Sequence, residues 1–297
     1  MGVAAPVPVL SSQSSPSPPS SAQSSTSAAA KRFGWNVVRA LSIGLVAFII
    51  FGPLVNLVLW AFAERWYYPN KLPSQFGFSF WSRVFDPRGN AMASLLTSIG
   101  IALTTTVVCL GIAIPAGLAL GRLTLKWRAA IMLVFLLPSA FPNLPVYVNI
   151  ARIFYELRLA GTVPGVVLVH AAHGLVLAVW ISAAAFAAVD KALEEAARNL
   201  GASPWRCFAT VTLPLATPGI IAGGIFVFLE SLDEFTGTYF VGVPDVITLP
   251  LLMFNASMGG NYQIASITAL LLLVPSVGFM LLVERFLKPN VLASIGR

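Results

Sequence analysis

Beyond residue 30, six long stretches of this chain contain no Asp, Glu, Lys or Arg. They cover residues 40–63, 89–121, 129–151, 159–189, 207–229 and 246–283, that is 24, 33, 23, 31, 23 and 38 residues. A helix needs about 20 apolar residues to cross a hydrocarbon core of about 30 Å, so each run holds one span, and none holds two with a turn between them. Backbone groups in lipid must be bonded internally, which makes each span a helix. The expectation is an all-α integral membrane protein with six transmembrane helices at about 40–62, 92–120, 129–151, 164–189, 216–241 and 263–287. Only 10% of the residues are charged, against about a quarter in soluble domains. A soluble enzyme is excluded.

The charges that remain orient the chain. With the N-terminus inside, inner segments hold Lys31, Arg32, Arg39, Arg122, Lys126, Arg128, Lys191, Arg198, Arg206, Arg285, Lys288 and Arg297. Outer loops hold Arg65, Lys71, Arg83, Arg88, Arg152 and Arg158. Twelve against six sets both termini in the cytoplasm by the positive-inside rule. The net charge of +7 is therefore a topology signal, too scattered for a nucleic-acid surface. Cys109 and Cys207 stand far apart and frame neither a disulfide nor a zinc site. Residues 1–30 are uncharged and rich in Ser, Ala and Pro, without the basic start and apolar core of a signal peptide. They are expected to form a disordered cytoplasmic tail ahead of a six-helix transmembrane domain at 31–297.

Between the fourth and fifth spans lies the one inner loop long enough to fold by itself, residues 190–215. Its first part suits a helix whose apolar face is Leu193, Ala196, Ala197 and Leu200, with Glu194, Glu195 and Arg198 elsewhere on the cylinder. Gly201 supplies the residue that ends a helix at positive φ. Ser203 and Pro204 then start a second helix as N-cap and first turn, expected to stop near Pro214. Trp205, Arg206 and Phe208 on its exposed face are residue types enriched at interfaces. A loop lying on lipid headgroups is the plainer reading.

Glu195-Ala196-Ala197, three residues, Gly201, nine residues, then Val211-Thr212-Leu213-Pro214 resembles the EAA signature of permease subunits of binding-protein-dependent ABC importers, with Val211 in place of the usual Ile. The resemblance implies a type I importer fold, similar to the maltose and methionine permeases, over about residues 40–290. It implies that Glu195, Ala196, Ala197, Arg198, Gly201, Ser203, Pro204 and Trp205 form a coupling helix and turn docked on a cytoplasmic ATPase dimer. Within the loop, Glu195 and Arg198 are expected to lock it and Gly201 to shape it. The implied partners are that ATPase, which carries ATP and Mg, a second permease forming a heterodimer, and an extracytoplasmic substrate-binding protein. The implied place is the bacterial inner membrane, and the implied mechanism is alternating access.

In the fifth span Glu230, Asp233 and Glu234 are spaced i, i+3, i+4, which puts three carboxylates on one helical face. Facing lipid they would cost roughly 8–10 kcal/mol together, so the face is expected to look into the bundle or a watery path. Acids without a cation favour a positively charged solute, and substitution of Asp233 or Glu234 by its amide is expected to abolish uptake. Ser231-Leu232-Asp233-Glu234 also resembles the fifth span of spermidine/putrescine-type permeases, which implies a polyamine. Two alternatives stay open. One is another small solute; the other is an ion-coupled secondary transporter using the same carboxylates, which leaves the EAA loop without a purpose. A structural network of the acids is a further reading.

Other features are weaker. His170 and His173 are read as hydrogen-bonded within the bundle, since no carboxylate or thiol joins them locally to hold a metal. Gly117–Gly121 and Gly219–Gly223 are GxxxG pairs for close helix approach. Pro115, Pro138, Pro142 and Pro145 are expected to kink or break spans two and three, and residues 245–262 to form an outer or re-entrant segment. There is no GxxxxGK[ST] phosphate loop and no nucleophile–base pair, so the expectation is a non-catalytic subunit without a cofactor of its own.

Overall fold

Each uncharged run becomes one helix or two; the third is divided at Pro142 and the sixth at Gly259 and Gly260. The computed structural model describes residues 21–287. Helix α1 (Ser21–Phe62) starts inside the segment expected to be disordered, so residues 21–30 are helical. Ala28, Ala29 and Ala30, the strongest helix formers, extend the helix backwards beyond the span, which begins at Trp35. Residues 1–20 of that expected tail lie outside the described residues.

Two compact units divide the chain at Val55. In the first, Leu41, Phe48, Ile49 and Phe51 are all exposed, giving a helix apolar around its circumference as lipid requires. The second begins with the end of α1. A short antiparallel ribbon of β1 (Ala63–Arg65) and β2 (Gln75–Phe76) follows, then α2 (Ser79–Phe85) and a 3-10 turn at Pro87–Gly89. Trp60 stacks on Trp66 at 4.3 Å and tilts against Tyr262 at 5.1 Å, an aromatic group of the kind that sits at a membrane–water boundary.

The remaining elements are α3 (Ala91–Arg122), α4 (Arg128–Ala140), α5 (Asn143–Glu156), α6 (Val163–Ala187), α7 (Lys191–Asn199), α8 (Pro204–Cys207), a π turn (Phe208–Thr212), α9 (Leu213–Asp233), α10 (Thr236–Val241), α11 (Leu249–Met258) and α12 (Tyr262–Leu287). Among the described residues, five helices are long and apolar enough to cross a membrane, or six if the bent pair α4 and α5 is one span.

Three boundaries differ from the sequence expectation. The third span is not one helix over 129–151: α4 and α5 meet at a bend of 95°. Pro142 forces Phe141 into extended backbone, at φ −101° and ψ 150°, and carries no N–H to continue the ladder. The helix begun at Pro204 does not stop near Pro214. In the π turn the Leu213 N–H reaches back to the Phe208 carbonyl, five residues away, and the helix continues from Pro204 to Asp233. The fifth span breaks at Glu234, whose ψ of 116° ends α9, and resumes as α10.

Helices α3, α6 and α9 pack on one another and hold most of the core. Small residues let them approach. A Cβ added at Gly117 would lie 2.6 Å from Ser182 Cβ, and one at Gly219 would lie 2.5 Å from Ala185 Cβ. Both partners are on α6, so the glycines of α3 and α9 seat two helices on a third. Segment 245–262 folds as α11, which packs on α12 and α3 with Leu249 and Leu251 fully buried.

Candidate functional site

Two regions carry polar chemistry: the loop at α7 and α8, and the breaks in spans three and five. In the loop, Asp190 Oδ1 accepts from the Ala192 N–H at 2.9 Å and starts α7. Gly201, at φ 86°, turns the chain. Ser203 Oγ accepts from the Arg206 N–H at 3.3 Å, with Pro204 in the first turn of α8. Gly201, Ser203 and Pro204 act as expected from the sequence, and Asp190 adds a cap at the start of α7.

The apolar face of α7 is left uncovered. Leu193 is exposed, Leu200 is 89% exposed, and Trp205 of α8 is 74% exposed. Glu195, Ala196 and Arg198 are exposed too, while Ala197 is partly covered. The residue that fastens the loop is Glu194, not Glu195 or Arg198. Glu194 Oε1 is paired with Arg122 Nη2 and accepts from the Thr212 hydroxyl at 2.6 Å. Arg122 Nη1 donates to the Val189 carbonyl at 2.6 Å. Burial works against charge on Glu194, but the Thr212 hydroxyl and the Arg122 guanidinium outweigh it and hold the carboxyl below its ordinary range. Glu194 and Arg122 were missed because they are 72 positions apart and only folding brings them together; the charged end of an apolar run at Arg122 was the available signal.

The three acids of the fifth span do not converge on one face. Asp233, at the end of α9, is exposed, and Glu230 and Glu234 are part-buried. Because the helix breaks at Glu234, its side chain serves the break: Oε1 accepts from the Gly237 N–H at 2.8 Å, satisfying a donor at the start of α10. Oε2 accepts from the Tyr147 hydroxyl at 3.1 Å. Both oxygens are therefore engaged. Glu230 differs. Its Oε2 is buried and has no hydrogen-bond partner. Neither of the ion pairs among the described residues includes these acids, since Arg122 meets Glu194 and Arg152 meets Glu156 at 3.8 Å.

Around them is a polar network that the sequence signalled only through its two histidines. Tyr147, fully buried on α5, lies 3.1 Å from His173 Nδ1, and His173 Nε2 lies 3.2 Å from Asn143 Oδ1. His170 spans the break in the fifth span, with Nδ1 2.8 Å from Ser231 Oγ and Nε2 2.9 Å from Thr238 Oγ1. Both imidazoles are thus hydrogen-bonded, and the described residues include no cluster of three metal-ligating side chains. The arrangement holds two helix breaks in register and leaves one buried carboxylate oxygen, Glu230 Oε2, unengaged.

Residues 113–290 match the family described as "Binding-protein-dependent transport system inner membrane component". The chain belongs to the permease subunits of ABC importers. This permease is 30% identical over 268 residues to the putative 2-aminoethylphosphonate transport system permease PhnV of Salmonella typhi, covering 86% of this chain and 98% of that one. It is 29% identical to the trehalose permease SugB of Mycobacterium tuberculosis over 72% of this chain and 80% of that one. A 94-residue stretch is 42% identical to the putrescine permease PotI of Escherichia coli, covering 31% of this chain and 34% of that one. In fold, the permease superposes on a chain of a bacterial alginate ABC transporter with a TM-score of 0.63 at 17% identity, covering 86% and 96% of the two chains. On the methionine transporter MetNI the TM-score is 0.52 at 17% identity, covering 69% and 98%. The permease is thus a multi-pass inner-membrane protein with the type I importer fold.

Proposed function

We infer that this permease forms the translocation path for a small solute bearing an ammonium group. The buried, unpartnered oxygen of Glu230 carries this reading. A carboxylate oxygen in a low-dielectric bundle with no donor is costly, and an incoming N–H donor removes that cost. The ammonium is the chemistry shared by putrescine and 2-aminoethylphosphonate, named for two relatives, and absent from trehalose, named for a third. A polyamine such as spermidine or putrescine is the narrowest form of the proposal. The uncovered apolar face of α7, with Leu193 and Leu200, together with Trp205, is the surface offered to a cytoplasmic ATPase dimer, which holds ATP and Mg. A second permease, as a heterodimer partner, and an extracytoplasmic binding protein complete the complex, with both termini of this chain in the cytoplasm.

Vanadate-sensitive uptake by the reconstituted complex tests the substrate class. Putrescine, spermidine and 2-aminoethylphosphonate are expected to be taken up in preference to trehalose; trehalose uptake alone overturns it. The docking surface is tested separately by Leu193→Glu with Leu200→Glu. Loss of ATPase co-purification is expected, and retention overturns the docking role. An ion-coupled transporter would purify without any ATPase.

A further inference from the structure

The Arg122–Glu194 pair is placed where four pieces of the permease meet. Arg122 is the last residue of α3, and its Nη1 holds the Val189 carbonyl just beyond the end of α6. Its Nη2 holds Glu194 in α7. The same Glu194 oxygen takes the hydroxyl of Thr212, in the π turn at the base of the long helix that ends at Asp233. Side-chain exposure is 10% for Arg122 and 20% for Glu194, so solvent screens the pair little. From Thr212 to Glu230 the helix rises by about 27 Å at 1.5 Å per residue, without a break. The exposed Glu195 and Arg198 make no ion pair within the described residues.

We propose that Arg122 and Glu194 are the positioning residues that transmit movement of α7 to α3 and α9. Arg122 fixes α7 to the end of α3, and Glu194 fixes it to the base of α9, so displacement of α7 moves both helices together. The pair lies on the bundle side of the loop, away from the face offered to the ATPase. This inference rests on the docking role proposed for α7 and is independent of the substrate.

The test uses the full complex carrying Asp233→Cys, an exposed position at the far end of α9; Cys109 and Cys207 are buried. Labelling by a membrane-impermeant maleimide is compared between nucleotide-free and ATP–vanadate-trapped complex, against a background without Asp233→Cys. In this parent, trapping is expected to change the labelling rate. Arg122→Gln and Glu194→Ala are expected to retain ATPase co-purification and vanadate trapping but to lessen the change by about tenfold, within the usual range of coupling between sites. The exchange R122E with E194R is expected to recover part of it. A full response in both single variants overturns the proposal. So does loss of the ATPase from every variant including the exchange, which would make the pair a prop for the loop. Failure of the docking reading appears elsewhere, as ATPase retained after Leu193→Glu with Leu200→Glu.

Discussion

Tyr147 and Glu234 lie 87 residues apart and meet through one hydrogen bond, the phenol donating to Oε2 at 3.1 Å. Tyr147 sits one turn into α5, just after the bend at Pro142, and Glu234 is the residue at which α9 stops. The bond therefore joins the two interrupted spans near their interruptions. Because Gly237 occupies the other oxygen of Glu234, the same carboxylate also starts α10.

Tyr147→Phe removes the donor and leaves the ring in place. A loss of about 1–3 kcal/mol is expected, because the hydroxyl meets both Glu234 and His173 and each bond has a net worth of about 0.5–1.5 kcal/mol. Thermal unfolding of the purified permease in detergent checks it; an unchanged midpoint would show that the two breaks are held by packing alone.

The acids of the fifth span separate by role. Glu230→Gln is expected to lower uptake about ten- to a hundredfold, corresponding to one charge-assisted contact of about 1.5–3 kcal/mol. Asp233→Asn, on an exposed side chain, is expected to leave uptake near wild type, in contrast to the sequence expectation that it abolishes transport. Glu234→Ala is expected to lower stability as well as uptake, because two donors lose their acceptor. Initial uptake rates and unfolding midpoints, measured at equal expression, distinguish the three.

His170→Ala should cost about 2–3 kcal/mol, from two buried hydroxyls left without a partner. His170→Gln, which keeps polar atoms in the site, is expected to recover part of that loss in the same unfolding assay. Equal midpoints for the two variants would count against the bridge.

Helix seating is read by a pair of glycine substitutions. Gly219→Val places atoms on Ala185 of α6 and is expected to destabilise by about 1–3 kcal/mol. Gly100→Ala meets nothing within 4 Å, and is expected to be neutral or slightly stabilising because alanine suits a helix better than glycine. Expression and unfolding midpoints of the two report the difference.

The loop has an acid limit. Glu194 has its carboxyl held below the ordinary 4.5 by Thr212 and Arg122, against the opposing effect of burial. Its charged form thus stabilises the folded loop at pH above 4.5, and that contribution is lost as pH falls through the lower folded value. The stability gap between wild type and Glu194→Gln is expected to be flat at neutral pH and to close in acid. A gap that widens in acid would reverse the assignment.

Much of this was legible locally. Uncharged runs located the membrane segments, and Gly201, Ser203 and Pro204 set the loop's turn and second start through contacts within a few residues. Proline marked the bend at 142 but misled at Pro214, because a π turn is a choice of hydrogen-bond register that composition does not record. The i, i+3, i+4 spacing of Glu230, Asp233 and Glu234 assumed an unbroken helix. The break at Glu234 is held by partners from α5 and α6, which are distant in sequence, together with the Gly237 N–H three residues on. Glu194 escaped notice for the same reason: its partners come from the ends of α3 and α9.

The bend between α4 and α5 has one more consequence. Phe141 and Pro142 are exposed, in the middle of an apolar stretch where the helical ladder is interrupted. Acyl chains cannot donate to or accept from the peptide groups released there, so non-helical backbone at membrane depth survives only beside protein or water. That flank of the molecule must therefore face protein or water in place of acyl chains, so lipid does not contact the molecule there.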